Sequence, residues 1–370
     1  MNILLLAPIH DYMAYFVQKG NEPFVIGQGQ QSWYNALIEL GHNVEVYRYT
    51  DTVIFPQKVY EITRNIVQKN FPILYHRLKR LSDYLYFVLP HNHIKNIRLI
   101  RKAGKTKPNV IIISGGTSSI FPSTIELIKK KYKCPVIFLS GVNPLMSSTL
   151  SEKLMIKDKI VDIVATNDRA YKKNWEHMGC KKVIVLPISA ADKSLHKKMN
   201  AISRDLHLYE CDVCFIGTLT SGRQDILSQL TGFDIKIWGK ILSGQSLSPT
   251  LHTLHQGQAH DKKMVKIYNA AKIVLNFQPN DMTHGGNMRT FEIPACGAFQ
   301  LADTIDPDFF TQGKEYVKFD NVRDLKKKIH YFLLHDKERK TIAQNGYRRT
   351  LKEHTYSHRF KKLLSMVSYD

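Results

Sequence analysis

The sequence is poor in acidic residues. Its 370 residues hold 32 Asp and Glu against 53 Lys and Arg, a formal net charge of +21 with His neutral. A field of that sign selects an anionic partner: a nucleotide, a nucleic acid, an anionic lipid or an acidic glycan. Cysteine is scarce too. Five residues form an odd set with no paired spacing, which argues against a disulfide framework and for a reducing compartment. No run of about 18 apolar residues occurs, so no membrane-spanning helix is expected. The opening MNILLLAP has no basic start and is too short an apolar run for a signal peptide. It reads as a buried first strand. The expected location is therefore the cytoplasm, with the inner face of the plasma membrane as a peripheral site.

What is present is ordinary globular stock, 43% hydrophobic and 23% charged, in a length that suits two domains. Short apolar runs at 3–7, 43–47, 110–113, 136–139, 163–165 and 183–186 read as buried strands. A loop with Gly27 and Gly29 leads into a helix over 32–40 that ends at Gly41. This is the β-α-β opening of a doubly wound α/β domain, whose ligands bind beyond the carboxyl ends of the strands. Gly115, Asn143 and Asp168 each follow such a strand. With Gly27 and Gly29, the residues Gly115 and Asn143 are taken as an acceptor-side rim. The first domain is placed at 1–195, a polar linker at 189–210, a second domain at 205–355 and a last helix at 356–370.

The stretch 57–107 differs in character. It carries twelve Lys or Arg and only Glu61 and Asp83 as acids. Leu74, Leu78, Leu81, Leu85 and Val88 step at helical spacing between Pro72 and Pro90. Three readings stay open: a helix packed on its own domain with a solvated basic face, a helix for an anionic membrane surface, and a dimer helix.

The richest stretch lies at 284–303. An apolar strand at 272–277 precedes His284, Gly285, Gly286, Asn287, Met288 and Arg289, and a helix from Asn287 to Gly297 follows. The glycines admit a close approach of backbone to ligand. The helix start presents free N–H groups and a positive dipole end, which suits a phosphate. Arg289 and Glu292 share one helix face. Upstream, Gly217 and Thr218 end a strand over 212–217, and Arg223 opens a helix.

The run NMRTFEIPACG at 287–297 resembles the donor-site signature of the CgeB-like glycosyltransferases. So do YNAAKIVLNF at 268–277, FFTQGKEYVKF at 309–319 and EHTYSHRF at 353–360. The resemblance is good over the last 160 residues or so and holds only in outline before them. It implies a GT-B fold, two Rossmann-like doubly wound domains facing a central cleft, with the last helix crossing back to the first domain. It also implies a glycosyltransferase that takes a UDP- or GDP-sugar without a metal or other cofactor. The donor residues would be Gly217, Thr218, Arg223, His284, Gly285, Gly286, Asn287, Met288, Arg289 and Glu292, with Glu292 on the nucleotide ribose. Many retaining relatives carry a glutamate where this chain has His284, so retention or inversion stays open. An inverting enzyme needs a base on the first domain, and His10, Asp11 and Asp168 are the candidates.

The acceptor is expected to be a glycan, a glycolipid or a protein. A sugar-nucleotide epimerase of the same architecture is the rival enzyme. A nucleic-acid-binding protein is the rival from another class, although no recognition motif supports it. A degenerate scaffold is disfavoured by the intact Arg289 and Glu292. Cys211 and Cys214 enter a strand, where alternation would part the two thiols. His354 and His358 lack a third ligand, so neither pair is read as a metal site.

Overall fold

The computed structural model describes residues 1–7, 28–48, 88–115, 119–199, 204–241, 246–279 and 284–367, with isolated positions at 66, 70, 71, 73, 74 and 282. His10, Asp11, Gly27 and most of the leucine stripe therefore lie outside the described residues. The chain forms two compact units, Met1–Ile188 with Phe360–Asp370, and Ser189–Arg359.

The first unit is built on six strands: β1 (Asn2–Ala7), β2 (Asn43–Arg48), β3 (Val110–Ser114), β4 (Val136–Ser140), β5 (Ile163–Thr166) and β6 (Val183–Val185). Their order is β2-β1-β3-β4-β5-β6, and every pairing is parallel. Strands buried on both faces need unbroken apolar runs, and β3 and β4 are buried at every position. Helix α1 (Gln28–Glu39) joins the first two strands. It begins four residues earlier than its sequence suggests, so Gly29 is a helical residue in the first turn and not part of a loop.

An unforeseen helix, α2 (Pro90–Thr106), fills the end of the basic stretch, with Pro90 at its first turn, where the missing N–H costs nothing. Leu99 and Ala103 are fully buried, whereas Arg98 and Arg101 face outward. In this part of the stretch, then, Arg98 and Arg101 lie on a solvated face of a packed helix, whereas Lys95 is buried within it. Helices α3 (Pro122–Tyr132), α4 (Leu150–Lys157) and α5 (Arg169–His177) complete the described layers. Trp175 of α5 packs edge-on against Phe138 of β4.

The second unit carries β7 (Cys211–Ile216), β8 (Ile235–Trp238), β9 (Ala271–Asn276), β10 (Gln300–Ala302) and β11 (Val317–Lys318), in the order β11-β10-β9-β7-β8 and again all parallel. Its helices include α6 (Ser221–Leu227), α7 (Asp261–Ala270), α8 (Met288–Ala295), α9 (Val322–Leu334) and α10 (Asp336–Glu353). The last helix, α11 (Tyr356–Ser365), starts in the second unit and ends in residues assigned to the first. Among the described residues no helix is long and apolar enough to cross a membrane.

Two readings change. The segment 189–210 is part of the second unit and not a solvated linker: Ala190, Ala191, Asp192 and His196 are buried, and the Ala191 N–H donates to His354 O at 2.9 Å. Polar composition hid this, because Asp192 spends its carboxylate on Ser194 inside the segment. The two thiols of Cys211 and Cys214 also enter one apolar cluster. The N–H groups of Asp212 and Val213 both donate to Asp234 O, at 2.9 and 3.0 Å, so strict alternation is lost at the start of β7. Both thiols are free, and burial pushes Cys211 up to about 12.

Candidate functional site

The carboxyl ends of β7, β9 and β10 gather most of the predicted donor residues within the second unit. The gathering is done by side chains bonding to loop backbone. Arg223, in the first turn of α6, donates from Nη1 to Thr218 O at 3.0 Å and from Nη2 to Phe277 O at 2.8 Å. One guanidinium thus ties the loop after β7 to the loop after β9. Burial pulls the Arg223 pKa down, while Asp303 opposes that pull. The Asp303 carboxylate accepts the Gln278 N–H at 3.1 Å and the Thr304 N–H at 2.7 Å. Its burial nonetheless raises its pKa.

The loop into α8 is fastened in the same way. The Gln278 side chain donates to Gly285 O at 2.7 Å. Asn287 caps α8 by accepting the Thr290 N–H at 3.1 Å, and its Nδ2 donates to Asn276 Oδ1 at 2.9 Å and Gln278 Oε1 at 2.7 Å. A polar cap held from three sides fixes the direction of the helix start. Gly286 is glycine for a packing reason: a Cβ there would sit 2.7 Å from the Phe291 ring and 3.2 Å from Phe309. Gly217 likewise has Phe215 2.8 Å from the place of its missing Cβ.

Arg289 turns inward. Its Nε donates to Ile216 O at 3.2 Å, and its Nη1 forms a very short ion pair with Glu292 Oε2. Glu292 is fully buried, whereas the Arg289 side chain keeps 23% of its exposure. The other carboxylate oxygen faces His196 Nε2 at 3.7 Å, and neither atom has a hydrogen-bond partner among the described residues. His196 Nδ1 accepts the Asp192 N–H at 3.0 Å, which leaves the proton on Nε2, and burial lowers the ring's pKa toward the neutral form. His196 was not found in the sequence, where a lone histidine in a polar stretch carries no spacing signal. His284 stands apart: its side chain is 55% exposed and lies 3.9 Å from Asp306.

In the first unit, Gly115, Asn143 and Asp168 follow the adjacent strands β3, β4 and β5. Each has local work. Asn143 accepts the Leu145 N–H and the Asn174 amide, both at 3.1 Å. Asp168 is fully buried and caps α5 by accepting the Ala170 N–H at 2.7 Å.

Behind α8, His354 packs against Phe291 with ring centroids 5.4 Å apart. Its Nε2 donates to Phe309 O at 2.8 Å and its Nδ1 accepts from Arg359 at 3.1 Å, so the ring is neutral. Burial, then Arg359, pushes its pKa down to about 4. The stability this neutral ring gives is complete above the ordinary histidine value and is lost as pH falls from about 6.5 towards 4, by up to about 3 kcal/mol. Urea unfolding at pH 7.5, 5.5 and 4.5 checks this. An unchanged pH slope in His354→Gln would assign the acid loss elsewhere.

With this geometry in hand, comparison with known proteins is direct. Residues 223–365 match the model of a family described as glycosyl transferase-like. That match covers 143 of the 370 residues, most of them in the second unit. The match begins at the clamp residue Arg223 and includes every predicted donor residue except Gly217 and Thr218. Over 215 residues the chain is 26% identical to the spore protein CgeB of Bacillus subtilis (strain 168), covering 54% of this chain and 65% of that relative. The match thus spans just under two thirds of the relative's length. HepE of Anabaena, solved with UDP and glucose, superposes with a TM-score of 0.62 at 13% identity, over 98% of this chain and 99% of that one. A glycosyltransferase from Rickettsia africae ESF-5 gives 0.63 at 12% identity, over 99% and 97%. The chain has the GT-B fold, two parallel-sheet α/β domains.

Proposed function

We propose that this protein transfers a sugar from a UDP-sugar to a hydroxyl group on a glycan, glycolipid or protein, and that it does so without a metal ion. The carrying observation is the Arg223 clamp, which sets the loop after β7 beside the capped start of α8. UDP and UDP-glucose in the HepE structures support the choice of base. As the glycosidic bond breaks, negative charge grows on the leaving diphosphate. Donors aimed at that charge lower the barrier more than they tighten the ground state. In this reading the N–H groups at the start of α8 and the Arg289 and Arg223 guanidiniums supply the positive field, while Glu292, fully buried, positions Arg289 rather than receiving ribose hydroxyls as the resemblance implied. The net charge of +21 supports an anionic acceptor or an anionic surface near the acceptor, on the cytoplasmic side.

A thermal-shift series with UDP, GDP, ADP, CMP and their common sugar conjugates tests the donor. UDP is expected to raise the melting temperature, and at a hundred times its Kd to add about 2.7 kcal/mol. Arg223→Ala should lose most of that gain. Release of UDP in the presence of a chelator, coupled to glycosylation of an acceptor, tests the reaction. UDP release without any acceptor, accompanied by a free epimer of the sugar, would replace the transferase with an epimerase.

A further inference from the structure

The second unit has a cavity of about 760 Å³ at the end of the sheet away from the donor residues. It lies where β9 begins, at Ala271 and Lys272, and where the chain leaves α8 for β10. The other end of β9, Asn276, is bonded to the α8 cap. Six residues of strand separate the two places by about 17 Å.

The cavity is cationic. Lys198, Lys272, Lys337, Arg339, Lys340 and Arg348 line it, and none of its described lining residues is Asp or Glu. Two carboxylates at its margin take part of this charge. Asp212 holds Lys272 at 2.7 Å, and Asp336 holds Arg339 and Lys340. Among the described residues Lys198 meets only a neutral partner, Gln344 Oε1 at 3.2 Å. Lys337 and Arg348 are exposed and in no ion pair among the described residues. The walls thus hold positive charge that the protein does not neutralise.

Folding does not require this arrangement. Lys337, Thr341, Gln344 and Arg348 follow one another along a single face of α10, and the like charges there gain nothing from each other. Lys198 lays its aliphatic stem across Gly297, where a Cβ would meet Lys198 Cδ at 3.1 Å, so its position is set by packing. The floor is less polar, lined by Met199, Ala271, Ala298 and Phe299. A cationic wall over such a floor fits a ligand that has several anionic groups on a compact body. Inorganic phosphate alone would leave most of the volume and most of the charge unused.

We propose that this cavity binds a phosphate-bearing polyol, a soluble one or the headgroup of an anionic lipid, at a site separate from the sugar donor. Lys337 and Arg348 are its free anion contacts, and Lys198, Lys340, Gln344 and Thr341 complete the ring. Binding of this kind weakens steeply with salt, because exposed charges are screened over about 10 Å at 0.1 M.

The test uses the full chain with UDP saturating, so that the donor site is filled. Calorimetry with myo-inositol hexakisphosphate should show one saturable site, weakened at least tenfold in Lys337→Glu/Arg348→Glu with UDP affinity unchanged. Flotation with phosphatidylinositol bisphosphate vesicles, against phosphatidylcholine vesicles, separates the sources. Flotation lost in the same variant assigns a headgroup, and calorimetric binding without flotation assigns a soluble ligand. A control with the same change of charge, Arg323→Glu/Lys327→Glu on α9, should bind as wild type. The proposal is overturned if neither probe binds the wild type, or if the control weakens binding as much as the cavity variant. UDP binding is read separately, so the donor assignment stands or falls on its own.

Discussion

Glu292→Ala should destabilise the second unit by about 3–5 kcal/mol, the usual cost of leaving a buried charge without its partner. Glu292 is fully buried in α8 and its Oε2 is paired with Arg289. Burial pulls the Arg289 pKa down, but the Glu292 carboxylate outweighs it and holds the guanidinium above its usual value. Removing the carboxylate leaves that cation facing Ile216 O, Met264 Sδ and a neutral His196. None of these replaces a negative charge. The double variant Arg289→Met/Glu292→Leu should recover most of the loss, because it takes both charges out of the interior. Urea unfolding of the two single variants and the double gives the coupling. A Glu292→Ala loss below about 1 kcal/mol would mean that water reaches the pair. UDP binding adds a second readout, since the double variant should fold and still lack the Arg289 guanidinium assigned to the diphosphate.

The same pair shows what the sequence could reveal. Spacing alone puts Arg289 and Glu292 on one helix face, and Asn287 before an apolar helix is a plain cap signal. The strands were equally legible, because a parallel sheet covered on both faces demands runs such as Val110–Ser114. What stayed hidden depends on residues distant in the chain. Gly286 looked like room for a ligand, yet the Phe291 ring occupies the space above it. His196 reaches Glu292 from a segment whose polarity marked it as a linker. Arg223 looked like a phosphate contact, and its two Nη atoms hold the carbonyls of Thr218 and Phe277 instead. Periodicity reports which face of an element is buried. It does not report which side chain will cross between loops, and the site is made by such crossings.

Gly239→Ala is the substitution expected to do the most damage for the fewest atoms. Gly217 and Gly239 end the paired strands β7 and β8, and the Gly217 N–H donates to Trp238 O at 2.9 Å. A Cβ on Gly239 would lie 1.8 Å from Gly217 O and 2.9 Å from its carbonyl carbon. Neither is a flexible side chain that can swing away. Gly239 is itself pinned, since its N–H donates to Gly257 O at 2.8 Å and its carbonyl oxygen lies 2.9 Å from His255 Nε2. The methyl group is therefore accommodated only by moving the loop after β7, which carries Thr218 and the cap of α6. A cost of about 4 kcal/mol or more is expected, in the range reserved for backbone conflict in a packed interior. Any folded fraction should bind UDP poorly, because the Thr218 carbonyl that Arg223 clamps has moved. Gly222→Ala in the first turn of α6 is the matched control: a Cβ there meets nothing within 4 Å. It should stabilise by about 0.5–1 kcal/mol through helix propensity and a stiffer unfolded chain. Equal melting temperatures for the two variants would show that the strand ends are further apart than this geometry has them. Loss confined to Gly239→Ala, in both stability and UDP affinity, would tie the donor loop to the close approach of two backbones.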